Sequence, residues 1–200
     1  MSSEERLEKF RPGRDGHEAR KALRVPPPRG SVFDLFKEAL PDVPMEAYQA
    51  VKDVVIEVSR GDVIRVLRTA KEDPRLDFRW LRCLSGVDYM DKGLEVVYHL
   101  HSYTRNHDVT VKVRCPQDDP RVPSATAVWR GADWYEREAA EMFGLVFEGH
   151  PNLVPLLLPE DMTDHHPLRK DNPLAEIEEW QGDRLAGPHQ DTARARRSKE

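Results

Sequence analysis

A cluster of charged residues in the second half of the chain could do chemistry. Glu138 and Glu141 lie three positions apart, so on a helix they share a face, and together with His150 they could bind a metal ion. A structural role is the alternative, because acidic residues early in a helix complement its dipole and Arg137 is spaced to pair with Glu141. We favour a third interpretation, in which Arg137 and the carboxylates, Glu136 included, form buried or interfacial ion pairs.

Histidines offer a second candidate site. His99 and His101 alternate along a predicted strand and therefore share a face, and His107 follows closely. Three imidazoles allow a zinc hypothesis, but no fourth ligand has a convincing spacing, so structural histidines are favoured. His165 and His166 precede a proline, and we interpret them as part of a hydrogen-bonded ribbon rather than as a ligand pair.

Other common site chemistries lack their residues in this sequence. The two cysteines, Cys83 and Cys115, form no CxxC motif, and an iron–sulfur cluster usually takes four thiolates. There is no GxGxxG for a dinucleotide, no P-loop and no GxSxG nucleophile elbow. Neither a secretory signal nor an apolar run of ~20 residues is found, so we expect reduced thiols, a cytosolic location and at most peripheral contact with a membrane.

Composition limits the size of the folded part. A chain of 200 residues suits one domain with extensions, and 38% hydrophobic against 34% charged residues is polar for a self-contained domain. The formal net charge is −5, yet both ends are basic: residues 1–30 hold eight Lys/Arg against five Asp/Glu, and residues 183–200 hold five against three. Basic ends on an acidic body indicate contact with an acidic protein, lipid headgroups or nucleic acid, or else two solvated tails.

The helices and strands that must position these residues are predicted from the spacing of apolar residues and from residues that end such elements, such as proline. Residues 1–30 lack a sustained apolar period and end in a proline-rich stretch, which predicts a flexible arm. Residues 44–51 are predicted to be a connector or a short helical turn, and residues 78–89 fit a helical turn at their start and a strand at their end. The remaining predictions are helices over 31–40, 62–73 and 124–129 and strands over 53–59, 94–103 and 108–114.

The charged cluster lies on a further predicted helix that begins with Asp133 as its cap. Glu136 three residues later would complete a capping box, and Gly144 would end the helix in a left-handed conformation. A turn follows, and the apolar run 153–158 suits neither a central strand nor a helix because it contains Pro155. We expect this run to pack against an apolar surface that is contributed in part by another chain. The elements together predict an α+β, two-layer fold, with helices packed on a small mixed β-sheet and an extended C-terminal ribbon.

The charged helix and the ribbon after it resemble the signature of the 30-kDa subunit, lettered C, of respiratory complex I, the proton-translocating NADH–quinone oxidoreductase. The matching stretches are 136–144, 147–151 and 166–174, supported by 78–81, 87–89 and 119–124. Related subunits of membrane-bound hydrogenases, formate hydrogenlyase and F420H2 dehydrogenases share the fold and these motifs, so a place in one of those complexes is the alternative.

The resemblance implies a non-catalytic structural subunit in the peripheral arm of the complex, on the cytoplasmic side of the cell membrane. It implies contact with the large hydrogenase-like subunit, lettered D, and with other peripheral-arm subunits, and none with nucleic acid. FMN and iron–sulfur clusters would belong to those partners, whereas this chain would hold no cofactor, metal or catalytic residue. The motif residues expected at the partner interface are Glu136, Arg137, Glu138, Glu141, Phe143, Gly144, His150, Pro151, His166, Pro167, Leu168, Arg169, Lys170 and Asp171.

The resemblance also suggests how the chain is divided. A flexible arm would occupy residues 1–30, the α+β domain residues 31–150, and an extended partner-wrapping segment residues 151–200. Two functions of other classes stay open at this point: a stand-alone metalloenzyme that uses Glu138, Glu141 and a histidine, and a binding module whose basic ends hold nucleic acid or anionic lipid. Nucleic-acid binding would rest on charge alone, because the ends contain few aromatic residues that could stack on bases.

Overall fold

A mixed five-stranded sheet with helices on one face is the framework that positions the charged helix. The computed structural model of the chain describes residues 24–159 and 166–172. The strands are β1 (Glu46–Gln49), β2 (Val54–Val58), β3 (Trp80–Asp88), β4 (Leu94–Ser102), β5 (His107–Cys115), β6 (Arg121–Pro123) and β7 (Val146–Glu148). The helices are α1 (Val32–Ala39), α2 (Val63–Glu72) and α3 (Ala132–Phe143), with single 3-10 turns at Met90–Lys92 and Ala125–Ala127.

The strands of the main sheet lie in the order β1-β2-β5-β4-β3, and β6 pairs in parallel with β7 in a separate two-stranded sheet. β2 and β5 run parallel, whereas the other neighbouring strands are antiparallel. β4 and β5 form a hairpin in which Leu94 faces Cys115 and Ser102 faces His107. This pair is rich in β-branched and aromatic residues, which suit a pleated and half-buried surface, and both predicted strands are confirmed.

One face of the sheet and one side of each helix form the core. Alternation along β4 and β5 turns Val96, Tyr98 and Val111 towards the helices, where each side chain is fully buried. The core-facing positions of α2 recur at helical spacing and are Val63, Val66, Leu67 and Ala70. Each large apolar side chain buried in this way stabilises the fold by about 1.5–3 kcal/mol. The expected fold class, α+β with helices on a small mixed sheet, is confirmed.

The opposite face of the sheet contains a fully buried carboxylate. Glu95 on β4 is 0% exposed and accepts bonds from Lys112 Nζ at 3.0 Å, Arg114 Nε at 3.1 Å and Tyr89 Oη at 3.2 Å. A buried charge is costly unless it is paired and hydrogen-bonded, and these three donors meet that requirement. We refer to Glu95, Lys112, Arg114 and Tyr89 as the Glu95 cluster, which ties β4 to β5 on this face.

Two expectations for the sheet are corrected. Residues 44–51 contain β1, an edge strand on β2, and are not a connector or helical turn; four paired residues are too few to give a clear alternation. Residues 78–89 form strand β3 over most of their length. The helical spacing of Leu81 and Leu84 arises because a bulge between Leu81 and Cys83 shifts the register, so that both leucines face the core.

The two ends of the chain are described only in part. Most of the arm predicted over residues 1–30 lies outside the described residues, as do residues 160–165 and 173–200, so the flexibility of the arm and the wrapping by the C-terminal segment stay predictions. At the start of the described chain, Val25 forms a bridge with Gln49 at the edge of β1. In the ranges that the structure describes, no helix is long and apolar enough to cross a membrane.

Candidate functional site

Glu136 anchors α3 to the segment before it and does not cap the helix. No side chain caps the first turn of α3, so the predicted capping box of Asp133 and Glu136 is wrong. The Glu136 carboxylate is fully buried and accepts 2.6 Å hydrogen bonds from Ser124 Oγ and from the Ala125 backbone N–H. Both donors lie at the start of the 3-10 turn that takes the place of the helix predicted over 124–129: Ser124 precedes the turn and Ala125 is its first residue. A buried carboxylate needs donors, and the turn supplies them.

Burial shifts the protonation of this carboxyl group. Loss of hydration raises the pKa of Glu136 from 4.5 to about 7, although the bonds from Ser124 and Ala125 act in the opposite direction. When Glu136 is protonated, its hydroxyl can donate to Ser124 Oγ, which lies 2.7 Å from Thr126 Oγ1 and can donate onwards. The contact between α3 and the turn therefore has a bonding pattern for each protonation state.

The His-Pro turn packs its imidazole against the start of α3. The His150 side chain is fully buried, and its Nδ1 accepts the Asn152 backbone N–H at 3.0 Å, so Nε2 carries the proton in the neutral ring. Nε2 donates to the Asp133 carbonyl oxygen at 3.2 Å, and Glu136 Oε2 is 4.0 Å away. Pro151 follows at the surface. The turn thus fixes where the chain leaves the domain.

The Glu141 carboxylate holds the first ribbon, which we define as residues 153–158. Its oxygens accept the backbone N–H groups of three consecutive residues, Leu156 at 3.2 Å, Leu157 at 3.0 Å and Leu158 at 2.7 Å. The first ribbon belongs to no helix or sheet, so its N–H groups depend on side chains or solvent for partners. Charge-assisted bonds to a carboxylate are among the stronger hydrogen bonds in proteins, which makes Glu141 an effective anchor.

Arg137 holds the carbonyl groups of the same ribbon. Its guanidinium donates from Nε to the Val154 oxygen and from Nη2 to the Pro155 oxygen, both at 2.8 Å. Arg137 and Glu141 lie one helical turn apart and therefore face the ribbon together. The ion pair predicted between these two side chains is corrected: each binds the ribbon backbone, because an extended segment outside any sheet leaves both its donors and its acceptors open.

The C-terminus of α3 is capped by the second ribbon, residues 166–172. A helix leaves its last four carbonyl groups without partners inside the helix. Here the Glu141 oxygen accepts His166 Nδ1–H at 2.8 Å, and the Phe143 oxygen accepts Arg169 Nε–H at 2.9 Å. The other two acceptors are Ala140, bonded by the Gly144 N–H at 2.8 Å, and Met142, bonded by the Leu168 N–H at 3.1 Å. All four terminal carbonyls are therefore satisfied.

Gly144 makes this cap possible for two reasons. Its φ is +72°, the left-handed conformation that the sequence predicted for a glycine at this position. A Cβ added to Gly144 would also lie 2.7 Å from the His166 ring, which is too close for any side chain. The imidazole thus occupies the space that the missing side chain leaves, and the second ribbon can approach the helix end.

The second ribbon is also tied to the sheet and to itself. The Lys170 backbone N–H donates to Asp88 Oδ2 at 2.8 Å, which joins the ribbon to the end of β3. Asn172 Nδ2 donates to the His166 carbonyl at 2.8 Å and closes the loop around Pro167. The side chains of Lys170 and Asp171 are not needed for these contacts.

Apolar side chains of both ribbons are exposed although the ribbon backbones are fixed. The exposed members are Leu153, Val154, Leu156, Leu157 and Leu168. Leu157 is 61% exposed while its backbone N–H is bound to Glu141, and Trp134 at the start of α3 is 64% exposed. A concentration of exposed apolar residues marks an interaction surface, and a fixed backbone leaves less conformational entropy to lose on binding.

The structure does not assemble the metal sites that the sequence allowed. Within residues 24–159 and 166–172, no group of three His, Cys, Asp or Glu is placed to hold a metal ion, so Glu138, Glu141 and His150 do not form one. Glu138 is exposed on α3, whereas the Glu141 carboxylate is bound to the backbone of the first ribbon. The three strand histidines have separate hydrogen-bond partners, which are Thr110 for His99, Asp108 for His101 and the Leu76 carbonyl for His107.

Two residues that take part in these hydrogen bonds were not predicted as site residues. Asp88 accepts the Lys170 N–H and also the Met90 N–H at 2.6 Å, and its place in the matching stretch 87–89 was the available signal. Ser124, which donates to Glu136, lies at the end of the matching stretch 119–124. In both cases the sequence marked the residue without indicating its partner, because the two partners are far apart along the chain.

Comparison with known proteins places the chain in a family. Residues 56–178 match the family described as respiratory-chain NADH dehydrogenase, 30 Kd subunit. The NADH-quinone oxidoreductase subunit, lettered C, of Roseiflexus sp. (strain RS-1) is 41% identical over 146 residues, which are 72% of this chain and 83% of that protein. The protein of the same name in Mycolicibacterium paratuberculosis is 36% identical over 178 residues, covering 82% of this chain and 75% of the relative.

A third relative is matched over a shorter span, and two solved structures share the fold. The protein of that name in Chloroherpeton thalassium is 51% identical over 108 residues, and the match spans less than half, 45%, of that protein. A trypsin-resistant fragment of Nqo5 is 28% identical with a TM-score of 0.52, covering 61% of this chain and 98% of the fragment. A chain of the membrane-bound sulfane sulfur reductase, an archaeal respiratory membrane complex, is 25% identical with a TM-score of 0.62, covering 74% of this chain and 89% of that one.

Replacement of Glu141 by Gln should loosen the first ribbon. The amide retains one acceptor oxygen and loses the charge, so we expect faster hydrogen exchange at the amides of Leu156, Leu157 and Leu158. The free energy of unfolding should fall by about 1–3 kcal/mol, the usual effect of leaving polar groups unsatisfied. Glu138→Gln is the matched control, because Glu138 is an exposed carboxylate on the same helix. Equal exchange in the two variants would contradict the anchoring role.

Gly144→Ala should detach the second ribbon from the end of α3. An added methyl must displace the His166 ring, so we expect loss of protection from hydrogen exchange at the Leu168 amide. Gly149→Ala separates this effect from backbone strain, because Gly149 also has positive φ (+80°) but open space around it. Both changes should cost about 1–2 kcal/mol for the left-handed conformation. If Gly149→Ala exposed the Leu168 amide equally, displacement of His166 would not be the cause.

The raised pKa of Glu136 predicts a pH dependence of stability. The unfolded chain has the ordinary pKa, so between about pH 4.5 and 7 the folded state binds more protons. The stabilisation is complete below pH 4.5 and is lost as the pH rises through 7, by roughly 3 kcal/mol in all. In Glu136→Gln, which resembles the protonated form, this component should be absent. Urea denaturation of both proteins from pH 4 to pH 8 measures it, and parallel profiles would contradict the assignment.

Proposed function

Because the chain belongs to the family of the 30-kDa subunit of respiratory-chain NADH dehydrogenase, we propose that it is a non-catalytic structural subunit of the peripheral arm of a proton-translocating NADH–quinone oxidoreductase, complex I. The complex transfers electrons from NADH to quinone and couples this transfer to ion translocation. This chain performs none of those steps. Its role is to hold the subunits that perform them at fixed positions.

The observation that carries this proposal is the arrangement of two ribbons on α3. Arg137 and Glu141 fasten the backbone of the first ribbon, and the second ribbon caps the helix end, so that apolar side chains point away from the domain. An enzyme site would instead gather polar groups in a concave pocket. A rigid backbone that presents leucines is suited to burial against another protein.

The partner in this proposal is the large hydrogenase-like subunit of the complex, with other peripheral-arm subunits near the ends of the chain. The two ribbons would be covered by that large partner. FMN and the iron–sulfur clusters belong to partner subunits, and contact with the membrane is made through the complex, on its cytoplasmic side. Burying an exposed leucine side chain contributes about 1.5–3 kcal/mol, so several of them could sustain a stable interface even after the cost of association.

One observation supports a second candidate function, in which the chain is a subunit of a related membrane complex. The similarity to a chain of the membrane-bound sulfane sulfur reductase indicates that respiratory membrane complexes of other kinds contain this fold. An equivalent subunit of a membrane-bound hydrogenase, formate hydrogenlyase or F420H2 dehydrogenase would use the same ribbon surface. The companion subunits distinguish these placements, because flavin subunits that oxidise NADH and nickel-iron catalytic subunits occur in different assemblies.

Leu157→Asp combined with Val154→Asp should weaken assembly without unfolding the domain. Both side chains are exposed, so we expect a normal urea midpoint, but tagged protein recovered from native membranes should carry at least about tenfold less of the large partner, as for loss of an interface hot spot. Val51→Asp is the matched control, since Val51 is fully exposed and lies before β2, outside the ribbons. Undiminished recovery with the ribbon variant would contradict the interface.

A failure of the whole proposal has a different signature. If the unaltered tagged chain is recovered without a large hydrogenase-like partner, or runs alone near its own mass of 23.1 kDa on a native gel, the role in a complex is wrong. Metal analysis of the same sample then tests the stand-alone metalloenzyme.

A further inference from the structure

Two large aromatic side chains are exposed at one end of the main sheet. Trp80 begins β3 and is 52% exposed, and Tyr103 follows β4 and is 72% exposed. Their rings meet edge to face with centroids 6.2 Å apart, and the Tyr103 ring also meets the His101 ring at 4.6 Å. Aromatic side chains dominate the energetics of cores and interfaces, so an exposed pair marks a candidate contact surface.

The charges beside these rings are arranged with the cations outermost. Arg79 Nε bonds Asp77 at 2.6 Å, and the arginine side chain is 80% exposed against 12% for the aspartate. Arg82 Nη1 bonds Asp108 at 3.0 Å, and here the exposed fractions are 56% and 34%. The surface therefore presents guanidinium groups, with their carboxylates beneath them. A guanidinium has five N–H donors and each arginine uses one in these bonds, so both have donors left for a further carboxylate.

A cavity adjoins the same arginine–aspartate pair. Arg82 and Asp108 border a space of about 470 Å³ on the sheet. Its other polar lining residues are Lys52, Asp53, Cys83 and His99. The volume is within the range of about 300–1,000 Å³ that is usual for ligand sites, so a side chain of another molecule fits into it.

We propose that the Trp80 surface, which we define as Trp80, Tyr103, Arg79 and Arg82, binds an acidic segment of a partner protein. An apolar side chain of that segment would lie on the two rings, and a carboxylate would bind the guanidinium groups. Trp, Tyr and Arg are the residue types that provide most interface hot spots, and outward-facing cations are complementary to an acidic partner. The cavity favours a protein segment over a lipid surface, because a flat bilayer would cover the concavity without filling it.

This inference is independent of the proposed function, since the Trp80 surface contains no ribbon residue. Trp80 and Asp88 are the two ends of β3, and eight steps of about 3.3 Å separate them by roughly 26 Å. The second ribbon is bonded to Asp88. The Trp80 surface is thus a second contact region, at the opposite end of β3 from that ribbon.

Photo-cross-linking from position 103 identifies what the Trp80 surface binds. The full chain with Tyr103→p-benzoylphenylalanine, which keeps an aromatic ring, is irradiated in intact cells, and the linked peptides are identified by mass spectrometry. We expect a link to a segment of another protein with Asp or Glu within a few residues of the linked site. A link to a protein segment without acidic residues, to lipid, to nucleic acid, to a second copy or to this same chain would overturn the proposal. The absence of any link would also overturn it.

A parallel probe keeps this test separate from that of the proposed function. Val154→p-benzoylphenylalanine reports on the ribbons, where Val154 is exposed. A link from position 154 without one from position 103 rejects the Trp80 surface alone. A link from position 103 without one from position 154 supports the Trp80 surface and counts against the ribbon interface.

Arg79→Glu in the cross-linking chain tests the charge argument. Arg79 is mostly exposed, so we expect an unchanged urea midpoint but an about tenfold lower yield of the link from position 103, as for loss of an interface hot spot. Arg68→Glu is the matched control, because Arg68 is an exposed arginine on α2, and its yield should stay the same. Equal yields in the two variants would overturn the proposal.

Vesicles of phosphatidylcholine and phosphatidylserine in equal parts test the lipid alternative on the purified full chain. We expect Arg79→Glu to leave any sedimentation with these vesicles unchanged, because the Trp80 surface is proposed to bind protein. Binding that Arg79→Glu abolishes and Arg68→Glu retains would assign the surface to an anionic membrane and overturn the proposal.

Discussion

An extended segment that joins no sheet must find partners for its backbone groups elsewhere, and this constraint explains the arrangement of α3. Glu141 accepts three consecutive N–H groups of the first ribbon and Arg137 donates to two of its carbonyls. The second ribbon in turn satisfies the carbonyls that the helix leaves open at its C-terminus. Helix and ribbons therefore complete each other's hydrogen bonding.

Three buried carboxylates show how one residue type serves different tasks according to its surroundings. Glu95 is bonded by two cationic side chains and a phenol within the sheet. Glu141 is held by backbone N–H groups and lies near the surface. Glu136 has two neutral donors and no cation, and burial raises its pKa to about 7. The number and charge of the donors decides how much of the desolvation cost is recovered.

In the proposed function, these groups act through rigidity rather than reactivity. Of the residues that resembled a reactive cluster in the sequence, Arg137, Glu141 and His150 bind backbone groups, whereas Glu138 is exposed. The ribbon side chains that remain exposed include several leucines. A surface of this kind contributes to an assembly by binding with little loss of entropy. The separate Glu95 cluster on the opposite face stabilises the sheet that supports α3, so the two faces of the domain are specialised differently.

Local patterns in the sequence were enough to predict the family signature, the fold class, the β4–β5 hairpin, α2 and the glycine that ends α3, because these features depend on local periodicity or on a conformation that only glycine adopts easily. Tertiary structure decided what the charged residues bind. Capping by Glu136 and pairing of Arg137 with Glu141 were reasonable local expectations, but turns and ribbons distant in the chain offered backbone groups that could not remain unpaired. It likewise decided that residues 44–51 pair as an edge strand and that a bulge gives Leu81 and Leu84 one face. Local patterns report propensity, whereas hydrogen-bond satisfaction is a property of the whole fold.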